Sequence, residues 1–392
     1  MPNKSNYSRN EIGMVSKDSL ESLLDEAVSQ NLCTGAAAAV AADGKTLWLY
    51  CVGATGREER PLQDMKKKKA QGEISPTAIR SETRFDAASL TKPLSTALLT
   101  LKAFQAGALK LDDPVEKFLP ELNRKAGKIP LIALLTHTGG MPAIPALQRY
   151  FPNPVHLDRK SALSKLFSIE PELPVGQHVQ YSCTGYILVG TILERVSGMP
   201  VGELFQQEIA RPLNLPHATF AQSVSGSGEP VPLEDTVETE FCSWRRKRMH
   251  GQVHDESAYC LGGHSGNAGL FLSLKDALIF GDFILQEGAY DGKQILKPEI
   301  SQLLQRERTP GLEERRAIGF RLHDNDTADG PLWPAQAFGH TGFTGTSIFF
   351  EPQRRLFAIL FTNRVYYGRD ATANAIVALR KEFYTRVWHL FS

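Results

Sequence analysis

Cysteine is scarce in this chain of 392 residues: five are present, Cys33, Cys51, Cys183, Cys242 and Cys260, an odd number with no C-x-x-C spacing. That argues against a disulfide framework or a zinc knuckle and fits a reducing compartment. Long apolar runs are missing as well. No stretch of about eighteen apolar residues occurs, and Met1 to Asn10 lack the apolar core of a secretory signal, so no membrane span is predicted and a cytoplasmic location is expected. Neither sign of charge is in excess: 44 Lys and Arg stand against 43 Asp and Glu, a formal net charge of +1. Such a chain has no general field to gather nucleic acid or an acidic surface. Two local basic runs depart from this balance. Lys66-Lys67-Lys68-Lys69 sits in a polar loop and reads as solvated, whereas Arg245-Arg246-Lys247-Arg248 follows Trp244 and reads as the rim of a site.

What is present is enough apolar material, 42% of residues, for a large core or two lobes. Asp18-Ser19-Leu20-Glu21 resembles a capping box, and Leu20, Leu23, Leu24, Ala27 and Val28 follow on one helical face, with Gly35 as its stop. Residues 36–42 and 47–52, joined by Asp43-Gly44, predict a hairpin despite alanine's helical leaning. A second hairpin is predicted from residues 346–350 and 356–362 around Glu351-Pro352-Gln353-Arg354. A last helix is marked by Ile376, Leu379, Phe383, Val387 and Leu390. The middle is mainly helical: Tyr186, Val189, Ile192, Leu193 and Val196 form a stripe ending at Ser197-Gly198, and a shorter helix runs from Val201 to before Pro212. Residues 57–81 and 222–239 read as loops. Strands at both ends with helices between them predict an α+β fold, in which N- and C-terminal segments share one antiparallel sheet around an inserted helical domain. The expected partition is 1–85 with 300–392 as the sheet lobe and 86–299 as the helical lobe, with the active site at their interface.

Chemistry concentrates at Ser89-Leu90-Thr91-Lys92. A hydroxyl and an amine three residues apart on a helix share a face, and an adjacent amine can take a serine's proton if its own pKa is lowered. Two more segments complete the pattern, Tyr181-Ser182-Cys183 and His340-Thr341-Gly342. In this order they resemble the S-x-x-K, Y-x-N and K/H-T-G elements of the serine β-lactamase and penicillin-binding-protein superfamily, closest to class C β-lactamases, related esterases and DD-peptidases. Leu134-Leu135-Thr136-His137-Thr138-Gly139-Gly140-Met141-Pro142 resembles the LLTHTSGLP turn of that family. Val253-His254-Asp255-Glu256 and residues 262–271 resemble a signature of one of its branches. The resemblance covers the chain from about Ser16 to the C-terminus.

The resemblance implies a β-lactamase/transpeptidase-like fold and a serine hydrolase without a cofactor. Ser89 would be the nucleophile, Lys92 the acceptor of its proton and Tyr181 the group that passes it to the leaving group. The backbone N–H groups of Ser89 and Phe343 would form the oxyanion hole, and Cys183, His340, Thr341, Gly342 and His254 would contact substrate. Cys183 stands where the family most often has Asn, and a thiol is a poorer donor and acceptor than an amide, which disfavours efficient β-lactam hydrolysis. His340 stands where many members have lysine, so its charge is expected to change with pH. His250, His254, Asp255, Glu256 and His264 lack H-E-x-x-H spacing, and no metal is expected; the segment is read as shaping the pocket, with His254 and Asp255 in a hydrogen-bond network. The expected substrate is a small ester, peptide or β-lactam-like molecule, opened through an acyl-enzyme. The alternative on the same fold is a penicillin-binding or ligand-sensing protein that does not turn over. Acyl group, leaving group and oligomeric state are not legible.

Overall fold

The structure is a computed structural model, describing residues 16–58, 75–220, 231–324 and 326–392. The lysine run 66–69 lies outside these, as do residues 59–74 of the loop predicted over 57–81 and residues 222–230 of that predicted over 222–239. The first helix spans Lys17–Ser29, with Ser16 at its N-cap in extended geometry and no side-chain cap bond. Its N-cap therefore lies two residues before that of the predicted capping box. Gly35 does not stop it but opens the first strand, Gly35–Ala42. Asp43 and Gly44 both have positive φ, 49° and 71°, and turn the chain into Lys45–Gly53. Two left-handed residues in succession match the right-handed twist of the strands they join, which is why Asp-Gly works here.

Six strands form the main antiparallel sheet, in the order Arg321–Leu322, Phe338–Thr341, Ser347–Glu351, Leu356–Thr362, Gly35–Ala42, Lys45–Gly53. The C-terminal hairpin thus pairs directly with the N-terminal one, Ala36 opposite Thr362 through Ala42 opposite Leu356. This register explains the alanine run. Ala37, Ala39 and Ala41 belong to one core and Ala36, Ala38 and Val40 to another, so both faces of this strand are covered. Burial on two sides selects small side chains and overrides alanine's helical preference. On one face lie the terminal helices, Lys17–Ser29 and Ala373–Phe391, the latter burying Ile376, Leu379, Phe383 and Val387 as its spacing predicted. On the other face Leu274–Leu285 packs onto the central strands.

The helical part begins at the nucleophile segment. Ala88–Leu90 is a single 3-10 turn that runs into a π-helical stretch, Lys92–Ala97, and then α-helix over Leu98–Gln105. The helix predicted from the Ser-Lys spacing is therefore not regular at the site itself. Cys183–Ser197 is the buried central helix, ended by Gly198 at φ 73°, as its sequence signalled. Val201–Phe205 continues through a π-helical turn to Ala210, before Pro212. Among the described residues, no helix is long and apolar enough to cross a membrane.

Candidate active site

Ser89 follows Ala88, whose φ of 47° is a costly conformation for a residue with a Cβ. The surroundings hold it there. The buried Asp86 carboxylate accepts from the Ala88 N–H at 2.8 Å and from the His254 N–H at 2.7 Å. Within the turn, Lys92 Nζ reaches Ser89 Oγ at 3.0 Å, the Asn267 carbonyl at 3.1 Å and Cys183 Sγ at 3.5 Å. Its ammonium also lies 4.9 Å from the centre of the Tyr181 ring. The structure thus brings together Ser89, Lys92, Tyr181 and Cys183, residues from two separated segments.

Tyr181 is held by the Thr136-His137-Thr138-Gly139-Gly140-Met141-Pro142 turn. The Gln180 N–H donates to the His137 carbonyl at 2.9 Å and the Ser182 N–H to His137 Nδ1 at 3.0 Å, bracketing the tyrosine on both sides. Ser182 caps the helix through Gly185 N–H and donates its hydroxyl to the Pro142 carbonyl, while the Cys183 N–H donates to Ala143. The His137 ring sits 4.5 Å from that of Tyr181. Sequence reading found this turn as a motif but gave His137 no task.

The third segment closes the site. Phe338–Thr341 pairs along one side with Ser347–Glu351, but on its outer side Arg321–Leu322 reaches only Phe338 and Gly339. His340 and Thr341 are left as an open edge. Gly342 permits the following turn to press on the nucleophile turn: a Cβ there would lie 2.0 Å from Thr346 Oγ1 and 2.6 Å from the Ala87 carbonyl. Thr344 Oγ1 donates to the Asp86 carbonyl and Thr346 Oγ1 to that of Ala87, pinning the two turns together. No hydrogen bond from the Phe343 N–H occurs among the described residues.

Ser89, Tyr181, Arg316, His340, Thr341, Gly342 and Phe343 share the wall of a cavity of about 560 Å³. A larger cleft of about 750 Å³, bordered by Arg84, Glu203, Arg211 and His264, holds none of Ser89, Lys92 or Tyr181, so the smaller cavity is the candidate site. Two residues expected to contact substrate are not on its wall. Cys183, partly exposed, has its sulfur against Lys92, and His254 is 4% exposed with its ring stacked on Phe343. Arg316, unremarked in the sequence, has its guanidinium 5.7 Å from the Tyr181 ring and paired with Glu314.

Burial is the largest influence on Lys92 and opposes its charge, but Cys183 and Tyr181, as thiolate and phenolate, favour it and carry the balance above the ordinary lysine value. Tyr181 is also raised, chiefly by burial. Lys92 and Tyr181 act on each other and titrate as a coupled pair. This corrects the sequence expectation of an amine with lowered proton affinity. His340 is held well below its ordinary value by burial, with Lys92 and Arg316 adding to the effect. It is neutral around pH 7, its Nδ1–H donating to the Thr341 carbonyl, so the expected charge switch near neutrality is revised too.

Of the five residues weighed as metal ligands, four have another polar partner and His264 has ring packing alone among the described residues. His250 bonds the Leu233 and Thr236 carbonyls, His254 bonds Glu240, Asp255 caps the helix Glu256–Cys260, and Glu256 pairs with Arg369. The ring of His264 packs against Gly202 and Phe220.

The sequence model of the family described as Beta-lactamase matches residues 20–382. The chain belongs to that family. Among curated proteins, it is 29% identical to a putative D-alanyl-D-alanine carboxypeptidase of Escherichia coli (strain K12), over 76% of this chain and 73% of that protein. It is 28% identical to an N-acetylmuramyl-L-alanine amidase of Bacillus subtilis (strain 168), over 74% and 70%. Among solved structures, a penicillin-binding protein homologue from Caulobacter crescentus superposes with a TM-score of 0.66 at 20% identity, covering 95% of this chain and 99% of the other. Family membership makes this chain a serine hydrolase of the β-lactamase/transpeptidase-like fold.

Proposed function

We propose that the protein hydrolyses a small ester or a peptide or amide bond through an acyl-enzyme on Ser89. The observation that carries this is the 3.0 Å contact between the buried Lys92 Nζ and the Oγ of Ser89, which lies on the wall of a cavity large enough for a small substrate. Ser89 Oγ attacks the substrate carbonyl as its proton passes to Lys92, which must first be in its amine form. The tetrahedral oxyanion is met by the N–H groups of Ser89 and Phe343. Tyr181, beside both residues, hands the proton to the departing alcohol or amine, and a water then releases the acid and restores the serine. His340, Thr341 and Gly342 line the cavity and contact the substrate along the open strand edge, while Cys183 supports Lys92 and His254 supports Phe343.

The names of the curated relatives favour peptide and amide bonds as substrates. The site lies where a lobe of residues 1–85 with 300–392 meets one of 86–299 in this reading. Five free thiols support a reducing, cytoplasmic location. The test is intact-mass analysis after a fluorescent penicillin or a fluorophosphonate, followed by a chromogenic ester and D-amino-acid peptide panel. A covalent adduct mapped to Ser89 and lost in Ser89→Ala supports the reading. An adduct elsewhere, or ester turnover retained in Ser89→Ala, overturns it. Acylation that never turns over assigns the chain to ligand sensing instead.

A further inference from the structure

The ring of Phe343 is 45% exposed on a turn, a poor place for a group whose backbone must be fixed to within tenths of an ångström. It is nonetheless held from several sides. Its carbonyl accepts from Arg364 Nε at 2.9 Å, and the Arg364 and Arg369 guanidinium groups lie 4.5 and 5.7 Å from its ring centre. The imidazole of His254 stacks on the ring at 5.6 Å with planes 29° apart.

Behind these contacts is one carboxylate. Glu240 accepts from His254 Nε2 at 3.0 Å, from Arg369 Nε at 2.7 Å and from the Arg369 N–H at 3.0 Å. Arg369 Nη2 reaches on to Glu256 at 2.7 Å. The other end of His254 is equally fixed, since its N–H donates to the Asp86 carboxylate that also holds Ala88. A continuous chain of bonds therefore runs from the residue before the nucleophile, through Asp86, His254 and Glu240, to Arg369 against Phe343. Burying such an ion cluster has a desolvation penalty that apolar packing would avoid, so its directional bonds are what it contributes.

We propose that Glu240, His254 and Arg369 are positioning residues that set the Phe343 N–H against the Ser89 N–H as the second donor of the oxyanion hole. The cluster touches no reacting atom; it acts by holding the Phe343 peptide. The inference rests on the reading of Ser89 and Phe343 given above.

A donor aimed at a developing oxyanion stabilises oxygen better than sulfur, so the test compares p-nitrophenyl acetate with its thiono analogue. Losing one such donor costs about 100-fold or more, and a misaligned one a part of that. In Glu240→Ala and His254→Phe, kcat/KM for the oxoester is expected to fall at least about tenfold and the oxo-to-thiono ratio at least about threefold. Glu240→Gln, which keeps an acceptor for His254, is expected to fall between. Should Glu240→Ala not fold, His254→Phe and Glu240→Gln decide. Equal losses on both esters, or wild-type rates in folded variants, overturn the clamp. Ser89→Ala serves as the control: ester hydrolysis surviving in it overturns the reading of the site itself and the clamp with it.

Discussion

The Ser182 N–H donates to His137 Nδ1 at 3.0 Å, a bond that joins the Thr-His-Thr turn to the residue next to Tyr181. His137 is 3% exposed and has φ 61°, and burial holds its pKa well below the ordinary histidine value, so it acts as a neutral acceptor. His137→Ala leaves a buried N–H without its partner, a loss of about 1–3 kcal/mol, and frees the tyrosine ring. His137→Asn, which tolerates the left-handed backbone and offers an oxygen, is expected to lose less. Urea unfolding of the two variants checks this; equal stability of Ala and Asn would show that the bond is not what matters.

Lys92→Ala and Tyr181→Phe are each expected to remove most of the acylation rate, because both handle one proton within a single cluster. Their combination should cost little more than the worse single change. Pre-steady-state acylation of the three variants decides, and a double mutant equal to the product of the two single losses would refute a shared proton path.

Because Lys92 and Tyr181 are both raised above their ordinary values, the cluster loses its first proton on the alkaline side. Ester kcat/KM is therefore expected to climb with pH through neutrality without levelling below about pH 8, since a general base works only in its deprotonated form. His340, neutral throughout that range, should add no inflection near its ordinary value. A plateau at pH 7 would mean that burial outweighs the anionic neighbours at Lys92.

Glu240 is subject to burial, which alone would raise it, but the His254 hydrogen bond and charge with Arg369 outweigh that and hold it down to about 2. A depressed carboxyl stabilises the fold above its unfolded value, and that stability is lost as pH falls from the ordinary glutamate range toward about 2. Glu240→Gln should flatten this part of the stability curve while shifting the whole curve down. Denaturant midpoints of both proteins between neutral pH and pH 2 test it, and parallel curves would contradict the depressed value.

Cys183→Asn gives Lys92 an amide oxygen in place of sulfur and is expected to raise β-lactam acylation relative to ester hydrolysis. His340→Lys, in contrast, places a cation at a largely buried position on the cavity wall beside Lys92 and Arg316 and is expected to lower stability. The ratio of the two specificity constants, with melting temperatures measured alongside, separates the effects. An unchanged ratio in Cys183→Asn would locate substrate preference in the surrounding loops.

Local pattern was enough to determine the two hairpins, the stripe of the Cys183–Ser197 helix with its glycine stop, and the Ser89, Tyr181 and His340 segments, because turn chemistry, helical periodicity and short motifs are written in neighbouring residues. The helix start was misjudged by two residues, the N-cap being Ser16 and not Asp18, because Asp18 and Ser19 suit a first turn as well as a cap. Tertiary structure alone decided why residues 36–42 form a strand, since only helices on both faces make small side chains preferable there. It alone set Cys183 against Lys92 and brought His254, Arg364 and Arg369, with Glu240 bonded to His254 and Arg369, to Phe343 from distant parts of the chain. It also reversed the expected proton affinity of Lys92. A pKa is set by what else is buried within a few ångströms, and those neighbours come from segments whose spacing along the chain says nothing about their distance in space.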